Sequence, residues 1–139
     1  MLRVNFFDPN RQEAVYFSPE LLKTFPIRPV IDPPIEGYEN LEETTSVPGV
    51  LGMSGTGLVC FSYHYYDRFG VYAGLPYAFS QDLSAIQLKE QAQALAVWLE
   101  FRSNLPDDQT AYEVPYFYLR GLSKLLNWAV EQGYSTYVA

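Results

Sequence analysis

Few side chains in this sequence can do chemistry, and their spacing limits what that chemistry can be. His64 is the only histidine and Cys60 the only cysteine. One thiol excludes an internal disulfide and a multi-thiolate metal site. On a strand the two residues would face the same way, but four residues of strand separate them by about 13 Å, too far to share one zinc ion. A catalytic triad needs a nucleophile and an orienting acid in contact with its histidine, and no spacing here carries such a contact. His64 therefore reads as a hydrogen-bonded strand histidine. Cys60, inside an apolar run, reads as a buried and inert thiol.

The glycine cluster Gly52-Met53-Ser54-Gly55-Thr56-Gly57 suggests a phosphate loop, but such loops open a helix and this one precedes a predicted strand. It lacks the Lys-Ser/Thr ending of a triphosphate loop. Ser54 also lacks the glycine that a hydrolase elbow needs, because Thr56 stands there. The cluster reads as a flexible entry to a strand. Glu42-Glu43 and Asp107-Asp108 are adjacent acids in loops and read as solvated charge. No catalytic residue, metal site or cofactor is expected.

Binding is better served than catalysis. The chain holds 12 tyrosines among 139 residues, and tyrosine is enriched where one end of a side chain is apolar and the other wet. Asp67 and Arg68 sit beside Tyr65, Tyr66 and Phe69, a charged pair among aromatics of the kind that concentrates interface energy. The expected binding set is Tyr38, Tyr63, His64, Tyr65, Tyr66, Asp67, Arg68, Phe69 and Tyr72.

The elements that must position these residues follow from local patterns. Val4 and Phe6 share a face with Leu2 at a two-residue period, and Asp8-Pro9-Asn10-Arg11 is a tight turn, so 2–17 reads as a hairpin. Ser18-Pro19-Glu20 starts a short helix. Residues 58–66 and 71–77 are aromatic and β-branched around the turn Asp67-Arg68-Phe69-Gly70, which predicts a second, central hairpin with two apolar faces. Ser84-Ala85-Ile86-Gln87 matches a capping box, and Asp82 is a competing cap. Leu88, Ala92, Leu95, Ala96 and Leu99 form the stripe of the helix that follows, with Glu90, Gln91, Gln93 and Glu100 off it. A last helix starts near Pro115 and buries Tyr118, Leu122, Leu125, Leu126 and Ala129. Gly133 stops it, and 134–138 reads as a final strand.

Between the hairpins lies 24–57, with five of the ten prolines and five of the nine glycines. Such a stretch is an extended arm or long loop. Its interspersed Phe25, Ile27, Val30, Ile31, Ile35, Tyr38 and Leu41 need a surface to lie on. The whole, 1–139, is expected to be one α+β domain. It should have a mixed or antiparallel sheet of about five strands, two hairpins plus a C-terminal strand, packed on two main helices.

The formal net charge is −7, and the nine Lys and Arg are scattered singly. Nucleic acid and anionic membranes are disfavoured partners, because both need clustered cations. No apolar run approaches a membrane span, and Met1–Asn5 lack the pattern of a leader peptide, so a cytoplasmic protein is expected. These features together predict a non-enzymatic protein–protein interaction module. It would be a small acidic accessory, inhibitor or assembly subunit, binding a protein, a basic one being the best match in charge, or itself through the 24–57 arm. The alternative is a binder of a nucleotide-like or anionic planar small molecule in a tyrosine-lined pocket.

Overall fold

The computed structural model describes residues 3–26, 30–31, 51–52, 58–61, 63–103 and 114–139. Among these the chain is α+β, a small antiparallel sheet with helices packed on one face. Strand β1 (Val4–Asp8) is its centre. β6 (Ser135–Val138) runs antiparallel along one edge, from Val4↔Val138 to Phe7↔Ser135. The other edge of β1 is shared. β2 (Glu13–Ala14) takes Phe7 and Asp8, and β5 (Val59–Phe61) takes Val4 and Asn5. Val59 N donates to Val15 O at 2.9 Å and ties β5 to the chain leaving β2. Two short segments extend the sheet: β4 (Leu51–Gly52) lies antiparallel to β5, and β3 (Val30–Ile31) lies parallel to β4.

The predicted turn chemistry is present at the first hairpin. Asp8 Oδ1 accepts from Asn10 N at 3.0 Å and from Arg11 N at 3.3 Å, the short-range bonding that suits aspartate to turns. Gln12 closes the loop at φ 55. Val4 and Phe6 point to the helical side and are fully buried, as the two-residue period requires.

Helices among the described residues follow from recognisable caps. In α1 (Pro19–Thr24), Ser18 Oγ accepts from Leu21 N, with proline opening the helix. α3 (Ala85–Ser103) begins with the reciprocal capping box: Gln87 N donates to Ser84 Oγ at 3.2 Å and Ser84 N to Gln87 Oε1 at 3.0 Å. α4 (Val114–Gln132) packs along α3 and buries Leu119, Leu122, Leu125, Leu126 and Ala129 against Leu88, Ala92 and Leu95. Each of the buried leucines contributes about 1.5–3 kcal/mol on burial. Gly133, at φ +78, stops α4: Tyr134 N reaches Ala129 O and Gly133 N reaches Val130 O, closing the left-handed cap. Trp128 joins α4 to the rest, its ring 5.9 Å from Phe6 and 5.0 Å from Phe25.

The second hairpin is overturned. Residues Tyr63–Ala73 form a helix, α2, and only 59–61 of the predicted 58–66 is strand. Of the two expected hairpins only the first forms as predicted, and among the described residues three substantial helices stand where two were expected. The cause is periodicity. Residues 58–66 are apolar at nearly every position, so alternation and helical spacing fit equally well. Packing decides between them: Tyr66, Phe69 and Gly70 share the buried side of α2, and Tyr66 stands edge-on to Phe61 at 5.5 Å. The turn expected at 67–70 lies inside the helix, which ends four residues later at Gly74, φ +71. Within α3 two further expectations fail: Ala96 is exposed and Gln91 is buried. Most of the predicted arm 24–57, and Tyr118's side chain, lie outside the described residues. Of the arm's apolar side chains, Phe25 is described and packs on the domain itself, against Phe17 and Trp128.

Candidate functional site

The change from hairpin to helix redistributes the predicted binding residues. On α2, Tyr66 and Phe69 turn inward and belong to the core. Tyr63 is half-buried against the same core. Asp67 is also half-buried, and its carboxylate accepts the N–H of Phe79, so it fastens the segment after α2 to the helix. Arg68 and Tyr72 are exposed. His64 and Tyr65 lie in α2 with side chains outside the described set, and Tyr38 is outside the described residues altogether. α2 thus does not gather this set into one site. Four of its nine members, Tyr63, Tyr66, Asp67 and Phe69, hold the fold.

A different surface emerges beside Tyr72. Its ring meets Trp98 of α3 edge-on, with centroids 6.0 Å apart. Next to Trp98, at helical spacing, Val97 is 69% exposed and Phe101 61%. Tyr72 is 55% exposed, and Val71 beside it in the chain is more exposed still. α3 therefore has two apolar faces: Leu88, Ala92 and Leu95 face the core, and Val97 and Phe101 face away, with Ile86 exposed one end up. Soluble helices ordinarily place polar residues on that outer face. The signal was present in the sequence, because Val97 and Phe101 stand four residues apart outside the buried stripe.

A cleft lies beside the first hairpin. Its walls are the β1–β2 turn, α1 and the end of α4, and its volume is about 540 Å³. Its acids are Asp8, Glu13 and Glu20, its cation Arg11, and its aromatic wall Tyr16, Trp128 and Tyr134. Burial, and then the nearby Asp8 carboxylate, raise the Tyr134 phenol above its ordinary pKa, while Arg11 opposes them. None of these residues was in the sequence-derived binding set; they converge only through the sheet and the C-terminal cap of α4.

Cys60 stands on the face of the sheet away from the helices. It is fully buried, and burial pushes its thiol up to about 11. A thiolate nucleophile requires the reverse. No helix among the described residues is long and apolar enough to cross a membrane. No protein-family model matches this chain, and no curated protein or solved structure matches it.

Proposed function

We propose that this chain is a non-enzymatic protein–protein interaction module, an acidic accessory, inhibitor or assembly subunit, whose partner covers the outer face of α3 together with Tyr72. One observation carries this reading: Val97 and Phe101, 69% and 61% exposed, stand on a helix whose opposite face already fills the core. Exposed apolar side chains scattered singly need no explanation, but a clustered set rimmed by Glu90 and Glu100 suits a docking surface. Tyrosine, tryptophan and phenylalanine supply large contact area at small entropic cost, which is why they dominate interface energetics. The net charge of −7 favours a partner of basic surface, through steering rather than raw affinity.

The test compares the native chain with Val97→Asp/Phe101→Asp. Solution mass by light scattering and the set of proteins captured from the native host are measured for both. Loss of a partner, or of self-association, in a variant with unchanged circular dichroism supports the reading. Identical mass and identical captured proteins for the two chains would remove it.

A further inference from the structure

The sheet face away from the helices is covered where no described helix covers it. Val4, Phe6, Val59 and Phe61 point to the helices. Between them in the strands stand Asn5 and Cys60, opposite each other in the register and aimed the other way. An antiparallel sheet with one face on the core ordinarily leaves its other face to water. Yet Cys60 is 0% and Asn5 1% exposed. Further across the same face, Phe7, Ser135 and Tyr137 keep part of their surface open. The cover therefore lies over the β5 side of this face.

Topology identifies the segment that can reach it. β5 and β6 flank β1 and are both antiparallel to it, so they run parallel to each other. The chain through α2, α3 and α4 connects them across the helical face. β3 and β4 are also parallel to each other, and β4 is antiparallel to β5. Along the order β3-β4-β5-β1-β6, both connections step in the same lateral direction, but on strands of opposite sense. Crossovers between parallel strands are right-handed, because only that hand packs a right-twisted strand back onto its sheet. Two right-handed crossovers with the same step and opposite strand sense lie on opposite faces. The helices take one face, so the connection from Ile31 to Leu51 takes the other. Residues 32–50 outnumber the roughly dozen that a parallel crossover needs.

We propose that residues 32–50 of the chain itself occupy this face, with Ile35, Tyr38 and Leu41 lying over Asn5 and Cys60. The surface that these apolar side chains need is then the domain's own sheet, and neither a partner nor a second copy supplies it. The placement shares no residue with the α3 face and stands whether or not that face binds a partner.

The isotope-labelled full chain is examined by NMR, reading NOEs from the Asn5 side-chain amide and the Cys60 β protons. NOEs to side chains within 32–50 are expected, and they should be absent between labelled and unlabelled chains in a mixed sample. NOEs seen only between chains would overturn the proposal in favour of a second copy. NOEs from Ile35, Tyr38 and Leu41 to the helices alone would overturn it as well. Cys60 is the only thiol, so its reaction with an aromatic disulfide reagent reports the same cover. Ile35→Asp/Leu41→Asp should speed that reaction about tenfold or more, through local opening. Amide-exchange protection of Leu122 and Leu126 in α4 should be kept, as global unfolding would not allow. A reaction rate unchanged by the double substitution would overturn the proposal.

Discussion

The side-chain amide of Gln91 closes a two-point ring with the backbone of Tyr77: Tyr77 N donates to Gln91 Oε1 at 3.1 Å, and Gln91 Nε2 donates to Tyr77 O at 2.7 Å. Gln91 is fully buried on α3, and this amide is how the helix holds the segment that leads from α2. The carboxylate of Asp67, accepting Phe79 N, grips the same segment from the other side.

Gln91→Leu keeps the volume and removes both bonds, leaving two backbone groups without partners in a dry site. The expected loss is about 2–4 kcal/mol by urea denaturation. Gln91→Glu keeps one acceptor but sets a carboxylate oxygen against Tyr77 O, so it should be no better than leucine at pH 8. It should recover as pH falls and the carboxyl regains a proton to donate. A leucine variant as stable as the native chain would show that the ring contributes nothing net.

Gly74 and Gly133 end α2 and α4 at φ +71 and +78, and a Cβ at either would meet nothing within 4 Å. Alanine there tests backbone strain alone. Each substitution should cost about 1–2 kcal/mol with no change in contacts. Gly70→Ala is the contrasting case: its φ is ordinary for a helix, and the new Cβ would lie 3.4 Å from Leu75 Cδ1. If Leu75 yields by a few tenths of an ångström, alanine's better helix propensity makes this change neutral. Equal losses at all three positions would contradict the distinction.

How legible the fold was in the sequence follows from the range of the forces involved. Ser18, Ser84 with Gln87, Asp8 and Gly133 act within three to five residues, and each does what its neighbours in the chain imply. α2 reads as a strand because its identity rests on a contact farther off in sequence: Phe79 closes on both Phe61 and Tyr66, rings at 5.7 and 6.4 Å. Gln91 was placed among exposed polar residues because nothing near it announces that Tyr77 will bring two backbone groups to it. The cleft was invisible for the same reason. Tyr16, Trp128 and Tyr134 lie more than a hundred residues apart in part, and only the β1–β6 pairing and the α4 cap bring them together.

Cys60 predicts an alkaline loss of stability. Its thiol is raised from 9.0 to about 11 in the folded chain, so above pH 9 the unfolded chain releases a proton that the folded chain retains. Stability then falls with rising pH, and the contribution is fully present below pH 9. The loss grows to an order of 2 kcal/mol as pH approaches the folded value. Tyr134 and Tyr137, both raised chiefly by burial, add to the decline above pH 10. Between pH 9 and 10 the slope belongs to the thiol. Cys60→Ala should flatten the urea midpoint across that interval, although it lowers the midpoint throughout through the lost packing. A native chain whose midpoint is level from pH 8 to 10 would show that the thiol ionises freely.

The outer edge of β6 predicts a different failure. A strand pairing on one side only presents unpaired N–H and C=O groups to other chains. Here a short segment covers them. Leu83 N donates to Thr136 O and Thr136 N to Leu83 O, both at 3.0 Å, and Val138 N donates to Asp82 Oδ1 at 2.9 Å. Asp82 therefore serves the strand edge rather than the α3 cap that its sequence position offered. Asp82→Ala removes an acceptor and a charge at once, exposing one edge N–H beside the Leu83–Thr136 pair. Since the site is exposed, the stability cost should be about 0.5–1.5 kcal/mol, too small to unfold the chain. The edge, however, becomes competent to pair, and growth of large species over days should be measurable by light scattering. Asp82→Asn keeps the accepting oxygen and removes only the charge. If the hydrogen bond is what guards the edge, asparagine behaves as the native chain does and alanine does not. If charge repulsion guards it, both variants associate alike, and the bond to Val138 is incidental.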